Sequence, residues 1–88
     1  METEFYRFAL IRNYLSKVIQ SIEGGKSIKE SVITEFDDST KSRICKEDIN
    51  EEVIYNLAKE VSEFILVKNI DESTLHEIAK EVIRLCRE

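Results

Sequence analysis

Proline and tryptophan are absent from this 88-residue chain, histidine occurs once, and the two glycines are adjacent. Without proline no helix is broken by a missing N–H donor, and Gly24-Gly25 is the one place where glycine can supply a positive φ. No apolar run approaches the ~18 residues that suggest a membrane span, and Met1-Glu2-Thr3-Glu4 lacks the basic opening of a secretory signal. The expectation is a cytoplasmic protein with no membrane contact. Cys45 and Cys86 have no CxxC partner, so they make no zinc or dithiol redox motif. In an ordinary cytosol they would be free thiols, whereas a hyperthermophile could bridge them. Abundant Ile, Lys and Glu suit a thermophilic source.

What is present points to one small globular domain. Charged residues make up 35%, but 42% hydrophobic residues are enough to build a core and to exclude wholesale disorder. A chain this short buries only about 60% of its unfolded surface, which disfavours a deep catalytic cleft.

Phe8, Ile11, Leu15, Val18 and Ile22 recur at steps of three and four, predicting an amphipathic helix over residues 4–23 capped by Thr3 and ended by the glycines. Ser27-Ile28-Lys29-Glu30 has the form of a capping box and starts a short helix over 28–36, with a strand as the alternative because Val32, Ile33 and Thr34 are β-branched. Residues 37–48 read as a connector. Asp48-Ile49-Asn50-Glu51 is a second capping-box candidate, ahead of a helix over 50–68 carrying Val53, Ile54, Leu57, Val61, Phe64 and Ile65. Asp71 or Ser73 caps a last helix over 73–87 with Leu75, Ile78, Val82 and Leu85 inward. The short link between these two helices predicts an antiparallel hairpin. The fold class expected is all-α, a small orthogonal or up-down bundle of three long helices and one short one.

Chemical motifs are sparse. Gly24-Gly25-Lys26-Ser27 resembles the tail of a phosphate-binding P-loop, but Gln20 occupies the place of the first glycine and a helix replaces the preceding strand. Residues 36–48 resemble an EF-hand calcium loop, with Asp37, Ser39, Ile44 and Asp48 at positions 1, 3, 8 and 12; Lys41 and Ser42 stand where an oxygen ligand and the glycine belong. His76 reads as a boundary residue. Cys86, at a helix C-terminus, is a poor nucleophile. No catalytic residue, metal or cofactor is assigned, and the chain is read as a non-enzyme.

The charge of −5 is uneven: residues 1–46 carry 8 basic and 7 acidic side chains, residues 47–88 carry 5 and 11. The acidic half would steer association with a basic partner. Phe5, Tyr6, Leu10, Phe64, Leu66, Val67 and Ile83 flank the apolar stripes and are the expected partner-binding anchors. The function expected is a protein-interaction module: an accessory or adaptor subunit of a larger assembly, for instance a nucleic-acid-processing one, or a homo-oligomer. The competing class is a helix-turn-helix regulator, with residues 27–36 and 40–46 as its helices and Lys41, Arg43 and Lys46 on phosphates. Nucleic acid is the less favoured partner because Asp37 and Asp38 would face the same backbone.

Overall fold

The computed structural model describes residues 3–67 and 70–88. They form five helices and no strand: α1 (Glu4–Glu23), α2 (Ile28–Thr34), α3 (Asp38–Ile44), α4 (Glu51–Phe64) and α5 (Glu72–Arg87). The all-α class is as the periodicity predicts. Three long helices are present, but the short ones number two, since α3 lies where a connector was expected.

Each helix begins on a side chain that takes an orphan backbone donor. Thr3 Oγ1 accepts from the Tyr6 N–H at 3.1 Å, Ser27 from Glu30, Asp37 from Thr40, Asn50 from Val53 and Asp71 from Thr74. The second capping-box candidate is corrected by this pattern. Asn50, not Asp48, caps α4, which leaves the Asp48 carboxylate for another use. Asp37 explains α3: with its carboxylate on the Thr40 N–H at 2.8 Å, seven residues with one buried apolar side chain, Ile44, still begin a helix. A single apolar residue gives no periodicity to read.

The core joins Ile11, Leu15, Val18 and Ile19 of α1 to Ile54, Leu57, Ala58 and Val61 of α4 and Leu75, Ile78, Ala79 and Val82 of α5. Val32 of α2 closes it between α1 and α5, and Ile44 and Ile49 close the side where α3 packs on α1. Val32, Ile33 and Thr34 are helical despite their branching, because Val32 is fully buried and tertiary packing outweighs a weak local preference. Tyr14 is buried with its hydroxyl donating to the Val32 carbonyl at 2.8 Å and its ring edge-on to Phe36. Burial pushes its phenol pKa upward, with Glu35 adding to the shift.

The α4–α5 pairing runs antiparallel. Lys59 faces Glu72 and Tyr55 stacks on His76 with ring centroids 4.1 Å apart, so an earlier residue of α4 meets a later one of α5. The expected end of α4 near residue 68 falls outside the described residues, and the helix stops earlier, at Phe64.

Two helix ends share one geometry. At α1 the Gly25 and Lys26 N–H groups donate to the carbonyls of Ile22 and Ser21, at 3.0 and 3.2 Å, the paired bonds of a Schellman motif, with Gly25 at φ 106°. At α4 the Leu66 and Val67 N–H groups donate in the same way to Glu63 and Ser62. The left-handed position is there taken by Leu66, at φ 55°. A branched side chain in that region is unusual and costs roughly 1 kcal/mol.

Candidate interaction surface

Helices α1 and α4 touch along their buried stripes, but beside this contact a groove of about 840 Å³ opens between the Phe5-to-Ser16 stretch of α1 and the last turn of α4. Phe5 and Phe64 stand in its lining with Ala9, Val61 and Ile65. Both phenylalanines are almost fully exposed, at 83% and 86%. Leu66 lies just past the end of α4, 78% exposed, in an adjoining depression with Val67 and Ile70; Glu63 lines both hollows. Three large apolar side chains thus sit in water around one helix end. Scattered single hydrophobics need no explanation, but two exposed phenylalanines lining one groove with an exposed leucine in the adjoining hollow are the kind of apolar surface that marks an interaction site.

The polar wall of the groove is defined by Arg12, which sits 3.3 Å from Glu60, and by Glu63, which has no ion-pair partner among the described residues. Two carboxylates against one guanidinium leave the groove acidic, as is the α4–α5 half of the chain as a whole.

The structure divides the expected anchors. Phe5 and Phe64 line one groove, and Leu66 with half-buried Val67 lines the adjoining hollow. Tyr6 is exposed, while Leu10 is half-buried and lines a small polar hollow of about 120 Å³ with Tyr14, Lys17, Asp37 and Arg43, facing α3 rather than the groove. Ile83 is a correction. It is 9% exposed and belongs to the core, because the Cys45–Cys86 bridge draws the chain after α3 over the end of α5.

The cationic trio of the regulator reading is not gathered on one face. Lys41 and Arg43 are two residues apart on α3, about 200° around a helix, and Lys46 follows the helix end. Arg43 is half-buried and bonded to Ser39, while Asp37 and Asp38 stand at the start of the same helix.

Sequence reasoning missed Arg7. This side chain is buried on the inner face of α1: Nε donates to the Arg43 carbonyl at 2.7 Å, and Nη1 and Nη2 donate to the two oxygens of Asp48 at 2.7 and 2.8 Å. The hydrogen bonds from Arg7 hold the Asp48 carboxyl below the usual carboxylate range. A signal existed, since Arg7 lies one turn before Ile11 and therefore on the apolar stripe. Asp48 thus serves as a clasp for Arg7, and Asp37 as a cap, in the stretch that resembles a calcium loop.

The cysteines are paired. Cys45, which ends α3, is bridged to Cys86 in the last turn of α5. His76 lies against the ring of Tyr55 on the α4–α5 surface, and no cluster of His, Cys, Asp and Glu arranged to hold a metal occurs among the described residues. Nor is any described helix long and apolar enough to cross a membrane.

No protein-family model, curated protein or solved structure matches this chain. Whatever functional reading it receives therefore rests on the surface itself.

Proposed function

We propose that this chain is a non-enzymatic protein-interaction module that receives a basic, amphipathic helical segment of a partner in the α1–α4 groove. The observation that carries the reading is that Phe5 and Phe64, each more than four-fifths exposed, line the same groove. Burying an aromatic or aliphatic side chain against a partner contributes about 1.5–3 kcal/mol, so Phe5, Phe64 and Leu66 together contribute roughly 4.5–9 kcal/mol before the entropic cost of association, and charge complementarity adds to it. Leu66 adds a second line of support. It keeps a large apolar side chain in a strained, left-handed position where glycine would be relaxed, and burial within the chain does not repay the strain. The choice of a basic partner follows from charge: Glu60 and Glu63 outnumber Arg12 at the groove, and residues 47–88 carry six more acidic than basic groups.

The test is a nuclear magnetic resonance titration of the full chain with a model helix of alternating leucine and lysine faces, alongside a glutamate-faced counterpart. Shift changes should map to Phe5, Ala9, Phe64 and Ile65, with binding by the lysine peptide alone. A Phe64→Ser variant should lose at least tenfold in affinity while unfolding at the same temperature as the native chain, since a side chain this exposed contributes within about 0.5 kcal/mol to the fold. Absence of binding, or shifts confined to other faces, would overturn the reading. Concentration-dependent dimerisation by light scattering that Phe64→Ser abolishes would replace the basic helix with a second copy of the chain.

A further inference from the structure

The Cys45–Cys86 bond joins two peripheral points. Cys45 is the residue after α3, Cys86 is one turn or less from the end of α5, and the link spans 41 positions of sequence. The main core is built from α1, α4, α5 and Val32 without it. Residues 37–50, by contrast, are lightly held. Their buried apolar side chains are Ile44 and Ile49, α3 is only seven residues long, and Arg7 attaches to the segment through the Arg43 carbonyl and the Asp48 carboxylate. An isolated helix of that length has no stability of its own in water. Both cysteines are half-buried and line an open depression of about 470 Å³ with Lys46, Ile49, Ile83 and Arg87, so a reductant can reach the sulfurs.

We infer that this disulfide is a redox latch for residues 37–50 rather than a strut for the whole bundle. A dithiol reductant supplies two electrons and two protons: the Sγ–Sγ bond breaks, thiols form at Cys45 and Cys86, and the reductant leaves as its own disulfide. Reduction unties α3 and the stretch after it from α5, leaving the segment to its contacts with α1, among them the Arg7 clasp and the buried Ile44. The segment then samples open states that uncover Ile44, Ile49 and Ile83, side chains that the oxidised protein keeps buried. Apolar surface is thereby placed under thiol control, on a part of the molecule distinct from the α1–α4 groove.

Three trypsin sites, Lys41, Arg43 and Lys46, lie inside the segment and give a site-resolved readout. The oxidised full-length chain and the chain held in millimolar dithiothreitol would be exposed to dilute trypsin, with the cuts located by mass spectrometry and helix content followed by circular dichroism. The expected result is at least tenfold faster cleavage after Lys41, Arg43 and Lys46 on reduction, little change after Arg12 and Lys17 of α1 or Lys59 of α4, and most helical signal retained. A Cys45→Ser, Cys86→Ser double variant without reductant should reproduce that pattern. Four outcomes would overturn the inference: a bond that resists dithiothreitol under native conditions, cleavage that does not change, equal acceleration at every site, or loss of helix in the reduced chain. The last two identify a strut. None of these readouts depends on the groove or its partner.

Discussion

Arg7 shows how one residue can organise a stretch with little apolar content of its own. Its guanidinium reads two different acceptors at once, a main-chain carbonyl through Nε and both oxygens of a carboxylate through the Nη pair, which only a planar fork can do. Arg7→Ala should therefore lower stability by about 2 kcal/mol, from the lost packing and the Arg43 carbonyl left without its charged donor. Arg7→Lys should recover less than half of that, since one ammonium cannot span the three bonds. Chemical denaturation of the two variants checks both figures, and full rescue by lysine would show that charge alone matters at this position. The placement of Arg7 was legible in the helical spacing, but its partners were not: Asp48 lies 41 positions away, and a carboxylate two residues before a capping asparagine reads equally well as a cap.

Among elements, the helices that could be read are those whose caps and stripes agree. α1 has Thr3, five core residues at helical steps and Gly24-Gly25, and its bounds match the expectation over 4–23. α4 lacks the last of these signals. Its stop is a Schellman turn made by Leu66 inside the apolar run Phe64-Ile65-Leu66-Val67, which in sequence reads as helix continuing. Leu66→Gly should relieve the left-handed strain and raise stability by about 0.5–1 kcal/mol, visible as an upward shift of a few degrees in thermal unfolding. The same substitution removes an anchor of the proposed surface, so binding of the lysine-faced helix should weaken as stability improves. That opposition separates a leucine retained for contact from one retained for the turn. α3 illustrates the reverse case: a good cap on a segment with one core residue, visible only once Ile44 has a place to go.

For the whole molecule, charge and covalent linkage set the conditions under which the fold persists. The Asp37 and Asp71 carboxyls are lowered chiefly by accepting the backbone N–H groups of Thr40 and Thr74, and Asp48 by its bonds from Arg7. All three have lower pKa values folded than unfolded, so their contribution is fully present above the unfolded value of about 4 and is lost as pH falls through the folded values. Stability measured by urea unfolding should be flat with respect to these groups between pH 5 and 7 and decline below about pH 4, and Asp48→Asn should flatten the acid decline. The disulfide acts on the other side of the balance, restricting the unfolded chain by up to about 4 kcal/mol for a loop of this length. By itself the sequence determined the all-α class, the three long helices, the caps Thr3 and Ser27 with Asp71 as one of two alternatives, and the uneven charge, because these follow from local spacing and from side chains bonding to their own neighbours. Tertiary structure decided what depends on residues far apart in the chain: the placing of Phe5 and Phe64 on one groove, the burial of Ile83, the Arg7–Asp48 clasp and the pairing of Cys45 with Cys86. Each of those is a meeting of separate elements, and no local periodicity encodes which face of one helix will reach which end of another.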